Sequence, residues 1–327
     1  MTISLNQIQT VKLNEIDLLD KWTDFSMNPA PEALKQSIQA LGIVHPVGLV
    51  AGAERYRIIS GHRRLQIAEE LGIDEISAFV MEVDDSAESM LAANLNENLA
   101  HRCYGDMEKG VILDRLIRAG VPESRILQEY MPLIGLERSK KLLREFLQAS
   151  QLSPGFKKLL HDLNVSLRVA NVICGWDPAS RQAAEDLFST LRPGVNKWRD
   201  MVELIDETAI RENVSPVEII DWDPIQSVLE HPHFAPAQKY DQVFQSLHPR
   251  RFPLLSRLNR KVAAAVDKLE LHPETRLRTS KTFESDEIKI ELKFRTKREL
   301  SDQLERLNES MKSEAMNELI DAFKNLE

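Results

Sequence analysis

The sequence contains little cysteine and has no long apolar run. Its two cysteines, Cys103 and Cys174, form neither a CxxC pair nor another metal-type spacing. No uncharged apolar stretch approaches the roughly 20 residues of a membrane helix, and the N-terminus lacks a basic region followed by apolar residues. These absences argue against a disulfide scaffold, a membrane protein and a secreted one, so the expected location is a reducing cytoplasm.

Net positive charge is also missing. The 327 residues carry a formal net charge of −9, which argues against indiscriminate binding to nucleic acid. Only residues 105–175 are basic, with 11 Lys and Arg against 8 Asp and Glu. If DNA is a partner, we therefore expect it to contact this segment.

Strand and helix patterns alternate over the first 104 residues and give way to helices beyond them. The expected strands are 11–19, 44–50, 55–60 and 76–83, and the expected helices are 32–41, 62–72 and 85–101. Near the C-terminus, 288–294 alternates apolar and polar residues like a strand, and 298–323 has the pattern of one long amphipathic helix. The predicted fold class is α+β.

These patterns divide the chain into four parts. Residues 1–104 form the mixed domain, and 105–175 form a helical domain with a helix-turn-helix-like segment. Residues 176–272 are helical, with prolines expected to interrupt the helices, and no chemistry is assigned to them. A linker at 278–287 and the strand and helix that follow it belong to 273–327, a possible dimerisation segment.

The stretch RIISGHRRLQIAEELG, residues 57–72, places a glycine and two arginines at the start of a predicted helix. A helix N-terminus offers unpaired N–H groups and a partial positive charge. Gly61 permits close approach of a ligand to the backbone, and the guanidinium groups of Arg63 and Arg64 match phosphate oxygens. This arrangement suits an oligophosphate, although Ser60 could equally be a helix cap beside solvated arginines.

A second polar feature follows in ESMLAANLNENLAHR. Asn94, Glu97, Asn98 and Arg102 fall at i, i+3, i+4 and i+8 and would share one face of a helix. A carboxylate next to an amide suits Mg²⁺, which prefers oxygen ligands. Arg102 lies far enough along to reach a phosphate, whereas the simpler interpretation is a solvated helix face.

Together, SGHRR and ENLAHR resemble the paired nucleotide-binding motifs of the ParB partition-protein family, a Gly-X-Arg-Arg box and a Glu-Asn-X-X-Arg box. The resemblance implies a ParB/sulfiredoxin-like fold for residues 1–104 and a nucleoside triphosphate, CTP or another, bound with Mg²⁺. It implies nucleotide contacts from Ser60, Gly61, His62, Arg63, Arg64 and Arg102, and metal contacts from Glu97 and Asn98. His62 departs from the acidic residue usual at its position, which bears on the preference for CTP.

The resemblance extends beyond the first domain. Residues 106–175 resemble the central helical domain of the family, and DEIKIELKFRTKRELSDQLERL resembles its dimerising C-terminal strand and helix. The expected DNA-reading helix is Leu136–Ala149, after a turn, EYMPLIG, that contains Pro132 and looks longer than a tight turn. The residues expected to contact DNA are Arg138, Lys140, Lys141 and Arg144.

Three functions stay open at this point. The first is a dimeric, nucleotide-dependent DNA-binding protein of partition or DNA organisation, with slow NTP hydrolysis and a possible partner ATPase. The second is a small-molecule kinase of the free-serine type on the same fold, with Asp24, Glu32 or Glu54 as the base. The third is a scaffold whose nucleotide site is vestigial. Sulfiredoxin chemistry is set aside because residues 60–64 contain no cysteine.

Overall fold

The structure is a computed structural model that describes residues 8–82, 84–280, 283, 285 and 287–324. The end of the strand expected at 76–83 and four positions of the linker expected at 278–287 lie outside these residues. Within the described residues, no helix is both long enough and apolar enough to cross a membrane.

A four-stranded mixed sheet organises the N-terminal domain, in agreement with the predicted α+β class. Its strands are β1 (Ile8–Lys12), β2 (Val47–Ala51), β3 (Tyr56–Ser60) and β4 (Glu75–Val80), in the order β1-β4-β2-β3. β4 is antiparallel to β1 and parallel to β2, and β2 is antiparallel to β3. The first strand lies earlier than the predicted 11–19, because its pairing with β4 ends at Lys12 and a 3₁₀ turn, Leu13–Glu15, follows.

Three helices pack beside this sheet: α1 (Glu32–Leu41), α2 (His62–Glu70) and α3 (Ala87–Asn98). α3 starts at a cap made by Ser86, whose side chain accepts from Ser89 N, rather than at Asp85. Its predicted extension to residue 101 is wrong. The N–H of Leu99 bonds to the Asn96 carbonyl three residues back, residues 99–101 form a turn, and Arg102 lies beyond the helix.

The next helices cover the region in which a helix-turn-helix-like segment was expected. They are α4 (Asp106–Arg118), α5 (Glu123–Arg125), a π-helical turn (Ile126–Tyr130), α6 (Met131–Leu133), α7 (Lys140–Ser150), α8 (Pro154–Asp162) and α9 (Leu167–Cys174). Pro132 lies in the first turn of α6 and not in the turn between the helices, at a position where its missing N–H costs no intrahelical bond. The turn itself is 134–139, and α7 begins at Lys140 rather than Leu136 because Ser139 caps it.

Residues 176–272 contain six more helices. They are α10 (Pro178–Leu191), α11 (Val195–Glu212), α12 (Pro216–Ile220), α13 (Asp223–Leu229), α14 (Pro236–Arg251) and α15 (Pro253–Lys268). Prolines occupy the first turns of five of them, where no intrahelical N–H bond is lost. Pro193 and Pro232 lie between helices, as expected, whereas Pro249 lies inside α14 and does not interrupt it. One apolar core runs from α3 through α14.

The C-terminal part is a hairpin and two helices. β5 (Thr275–Arg278) was not expected from the sequence, and it pairs antiparallel with β6 (Lys289–Leu292). The long helix predicted at 298–323 is two helices, α16 (Lys297–Ser310) and α17 (Glu314–Lys324). Ser313 Oγ donates to the carbonyl of Ser310 at the break, and α17 folds back on α15 to form a separate apolar cluster.

Candidate functional site

A cavity of about 1010 Å³ lies beside the N-terminus of α2 and the C-terminus of α3. The sheet and α3 bring the two sequence boxes, some 35 residues apart along the chain, to the same cavity. All the residues expected to bind nucleotide or metal line it: Ser60, Gly61, His62, Arg63, Arg64, Glu97, Asn98 and Arg102. The helical region contributes Glu108 of α4 and His161 of α8.

Gly61 gives α2 an open N-terminus. It has φ +99°, a conformation that side-chain-bearing residues rarely adopt, and no side chain caps the helix. A Cβ at this position would lie 2.7 Å from Val47 Cγ1, so the loop packs too tightly for any other residue. The capping role considered for Ser60 is absent, because Ser60 ends β3 and is buried. The first N–H groups of α2 are therefore left for a ligand.

The two arginines that follow are held by backbone carbonyls. Arg63 Nη2 donates to Asn28 O at 2.8 Å, and Arg64 Nη1 donates to His45 O and to Pro46 O, the latter at 2.7 Å. Burial lowers the pKa of the Arg64 guanidinium, and the Glu97 carboxylate acts in the opposite direction. Both arginines remain cations at the cavity wall.

Arg102 approaches the cavity from the turn after α3. Its Nη2 donates to Ser26 Oγ and to Glu108 Oε1, both at 2.9 Å, and its guanidinium lies 4.8 Å from the ring centre of Tyr104. Burial raises the pKa of Tyr104, which keeps its hydroxyl protonated. A cation that is paired with one carboxylate still offers further N–H donors to a phosphate.

Glu97 and Asn98 lie side by side at the end of α3. Asn98 Nδ2 donates to the Asn94 carbonyl at 2.9 Å, which leaves the amide oxygen free to face a ligand. Among the residues that the structure describes, no group of three or more His, Cys, Asp or Glu is arranged to hold a metal. A cation here would therefore rely on one carboxylate, one amide, water and the ligand's own oxygens, which is common for Mg²⁺.

Asn94 has a structural role that its place in the polar stripe did not predict. It is buried, and its Nδ2 donates to Ile59 O at 2.6 Å, which ties α3 to β3 beneath the cavity. Asn94 therefore differs from the rest of the stripe because its Nδ2 bonds to the sheet, although it lines the cavity together with Glu97 and Asn98.

Several buried polar atoms of the lining have no partner among the described residues. They are Ser60 Oγ, His62 Nε2, Arg63 Nε and Asn94 Oδ1. His62 is only 8% exposed, and burial lowers the pKa of its imidazole against the opposing effect of Asp24. Buried polar atoms without partners are costly, so a polar occupant or ordered water that pairs with them is favoured here. The cavity thus fits a phosphorylated ligand in donor chemistry as well as size.

The basic residues expected to meet DNA share one exposed surface. Lys140, Lys141 and Arg144 are on α7, as expected. Arg138 was expected on the same helix but lies in the turn before it. Lys140 pairs with Glu123 at 3.3 Å and Lys141 with Glu145 at 3.8 Å. Arg138 and Arg144 form no ion pair within the described part of the chain. The side chain of Lys141 is solvent-exposed.

Only one of the three residues considered as the base of a kinase lies at the cavity. Asp24 lines the cavity, whereas Glu32 and Glu54 do not. Sequence reasoning missed Ser26, Asn28 and His161, which also line the cavity and contact its arginines or each other. No motif marks these three residues, because only the tertiary fold brings them to the site.

Comparison with known proteins gives a family match at the N-terminus. Residues 1–99 match the ParB N-terminal domain family. The probable chromosome-partitioning protein ParB of Coxiella burnetii is 26% identical over 175 residues, which cover 53% of this chain and 58% of that protein. The probable chromosome-partitioning protein ParB of Neisseria meningitidis serogroup A is 36% identical over 88 residues. These residues cover 27% of this chain and 30% of that protein. This chain spans about half the length of the curated relatives it matches.

Two solved structures of a C-terminally truncated ParB from Caulobacter crescentus also match. One is a complex with CTP-gamma-S, at 17% identity and a TM-score of 0.23, covering 52% of this chain and 92% of that one. The other is a complex with the centromeric parS site, at 15% identity and a TM-score of 0.33. The match covers 64% of this chain and 95% of that one. The family assignment of the N-terminal domain depends on the sequence matches alone.

Proposed function

We propose that this chain, which belongs to the ParB partition-protein family through its N-terminal domain, is a nucleotide-dependent DNA-binding protein of chromosome or plasmid partition. Its proposed ligands are a nucleoside triphosphate and Mg²⁺, and among the triphosphates we expect CTP to bind most tightly. Slow hydrolysis of the nucleotide and a partner ATPase belong to the same proposal.

One observation carries the nucleotide part of the proposal. The Gly61 turn, two arginines at an uncapped helix start, and the separate Glu97-Asn98-Arg102 group converge on one cavity. The chance alternative, a capped helix beside a solvated polar face, does not require the two boxes to meet. It also does not account for the orphaned polar atoms in the lining.

Each residue then has a distinct task. The open N–H groups of α2 and the guanidinium groups of Arg63 and Arg64 hold phosphate oxygens. Arg102 adds a third cation from the turn after α3. Glu97 and Asn98 would hold Mg²⁺, which when bound neutralises part of the phosphate charge.

The DNA part of the proposal depends on α7. Four basic side chains surround its N-terminal half, and Ser139 fixes where the helix starts. Phosphate contacts from Arg138, Lys141 and Arg144 would position this helix on a duplex without reading its sequence. The partition proteins that the chain resembles support this assignment.

A second copy of the chain is the proposed partner of α16. Its buried residues are polar: Gln303 Nε2 donates to Lys293 O at 2.6 Å, and Ser310 Oγ donates to Leu269 O at 2.8 Å. Leu304 is 48% exposed and Met311, directly after the helix, is 63% exposed, whereas Leu300 and Leu307 are half-buried. Exposed apolar side chains on one face of a helix are typical of an interface.

The test is a binding titration with CTP, ATP, GTP, UTP and ADP, each with and without Mg²⁺. We expect Mg²⁺-dependent binding of a triphosphate, strongest for CTP, and its loss in Arg63→Ala and in Arg64→Ala. An adenine nucleotide bound best would favour the kinase, with Asp24 as the remaining base. If no nucleotide binds, the proposal is wrong and the Gly61 turn is structural only.

A further inference from the structure

Residues 242–266 are the longest stretch of the chain without an acidic residue. These 25 residues contain five Lys and Arg and no Asp or Glu. In a chain with 51 acidic residues among 327, about four would fall in a stretch of that length. The stretch runs from the middle of α14 through most of α15, in the region to which the sequence assigned no chemistry. Such a local excess of positive charge in an acidic protein calls for an explanation.

Two of the five cations have structural partners inside the protein. Arg250 Nη2 lies 2.6 Å from Glu212 Oε2, and its guanidinium lies 4.7 Å from the ring centre of Trp222. Arg251 Nε lies 2.8 Å from Glu207 Oε2. These contacts join the end of α14 to α11, so they account for the first two arginines.

The other three cations form a basic face on α15, which consists of Arg257, Arg260 and Lys261. All three are exposed, and none forms an ion pair within the described part of the chain. Arg260 Nε donates only to Ser256 O of its own helix, at 3.3 Å. The spacing i, i+3 and i+4 puts the three side chains on one side of the helix, within about 6 Å along its axis. Like charges this close repel each other, and an anionic partner relieves that repulsion.

The apolar side of α15 is already covered. Val262, Ala265 and Leu269 pack in one apolar cluster with Leu319 and Phe323 of α17. A helix that lies on a membrane inserts its apolar side, and here that side is occupied. The helix is therefore held against α17 while its basic face remains in solvent.

The basic face also lacks the apolar anchor that is typical of a protein interface. Leu254, near the start of α15, is its one large apolar side chain that is mainly exposed. The nearest aromatic residue, Phe252, is half-buried under the guanidinium of Arg251, which lies 4.7 Å from the ring centre. No aromatic side chain is thus presented for stacking on unpaired bases. Recognition at this face depends on charge alone, which is the chemistry of a phosphate backbone.

We infer that the basic face of α15 contacts the phosphate backbone of duplex DNA, as a second DNA surface in addition to α7. This inference rests on the proposed DNA-binding function and extends it to a region outside the helix-turn-helix-like segment. A duplex carries one negative charge per about 1.7 Å of its axis, so several phosphates lie within the length of one helical turn. Backbone contacts carry no sequence information, so this face binds duplexes of any sequence.

The experiment measures how the DNA affinity of the full-length protein depends on salt. Fluorescence anisotropy is recorded with two duplexes of equal length and unrelated sequence, between about 50 and 200 mM salt. In the triple variant Arg257→Ala, Arg260→Ala and Lys261→Ala, we expect the slope of log affinity against log salt to become shallower by up to about 2.7. This corresponds to about 0.9 for each lost phosphate contact, and it should be equal for both duplexes.

Two further variants separate local contacts from total charge. The triple variant Lys35→Ala, Lys158→Ala and Arg199→Ala removes the same charge from exposed side chains that are each paired with a carboxylate, and it should leave the slope nearly unchanged. Arg257→Lys with Arg260→Lys keeps the charge of the basic face and should keep the wild-type slope. Alanine and lysine both favour helix, and circular dichroism checks that the variants are folded.

The outcomes distinguish the inference from the proposed function. An unchanged slope in the folded α15 variant, or an equal change in the charge-matched control, overturns the inference and leaves the α7 surface in place. An effect on one duplex only contradicts binding to the backbone. Loss of binding to vesicles of phosphatidylserine and phosphatidylcholine, with an unchanged DNA slope, would assign the face to a membrane instead. A wild type that binds neither duplex at the lowest salt overturns the proposed DNA binding together with the inference.

Discussion

Replacement of Gly61 by alanine tests whether the turn before α2 is shaped by tight packing or only by its backbone conformation. Two costs add at this position. The φ of +99° costs a residue with a Cβ about 1–2 kcal/mol. The new Cβ would also lie 2.7 Å from Val47 Cγ1 and 3.2 Å from Arg64 Nη2, and overpacking of this kind costs about 1–3 kcal/mol. We therefore expect Gly61→Ala to lower the free energy of unfolding by about 2–5 kcal/mol.

Gly72→Ala is the matched control. Gly72 also has a positive φ, of +66°, but a Cβ there meets nothing within 4 Å. It should lose only the backbone cost, about 1–2 kcal/mol, and should bind nucleotide normally. Gly61→Ala should in addition bind nucleotide poorly, because relief of the clash displaces Arg64.

Urea unfolding monitored by far-ultraviolet circular dichroism, with nucleotide titration of the folded variants, provides both readouts. Val47→Ala in the Gly61→Ala background should recover part of the lost stability, since the two sites are in contact and their effects are not additive. Equal losses of stability in Gly61→Ala and Gly72→Ala, with normal nucleotide affinity in both, would refute the packing argument.

The remaining predictions concern the metal, the DNA surface, the dimer and pH. Asn98→Ala should weaken nucleotide binding more with Mg²⁺ than without it, and an equal loss in isothermal titrations would remove Asn98 from the metal site. Lys141→Ala with Arg144→Ala should reduce the salt dependence of DNA affinity by up to about two phosphate contacts, and an unchanged slope would locate those contacts elsewhere. Leu304→Asp should give a folded monomer by light scattering, because this side chain is 48% exposed, whereas a persistent dimer would contradict the proposed interface. Burial lowers the pKa of His62 below 6.5, so the unfolded chain takes up the proton first and stability should fall below about pH 6.5. His62→Gln should flatten that decline in urea titrations, and an unchanged pH dependence would assign it to other groups.

Local patterns predicted most elements but not all of their ends. Gly42 and Gly72 marked the ends of α1 and α2, since both adopt a positive φ after the helix. The end of α3 was misjudged by three residues, because the helix closes with a bond from Leu99 N–H to the Asn96 carbonyl and no glycine or proline marks that position. Pro132 was expected in the turn, but it lies in the first turn of α6, where proline is tolerated.

The C-terminal segment shows the same limit. Its spacing of apolar residues from 298 to 323 is continuous and contains no glycine or proline, so one helix was the natural prediction. The break after Ser310 arises because α17 folds back to pack on α15, which a single continuous helix could not do. Long-range packing, not local propensity, ends α16.

The sequence by itself determined the chemistry of the proposed phosphate site: a glycine, two arginines and a helix start follow one another along the chain, and their interactions are local. It also determined the carboxylate and amide at the end of α3, which are adjacent in the chain. Only the tertiary structure decided that the two groups face one cavity, that Asn94 also bonds to the sheet, and that Asn28 and His161 join the lining. Sequence periodicity specifies a face of a helix, whereas the identity of its neighbours depends on contacts between residues far apart in the chain.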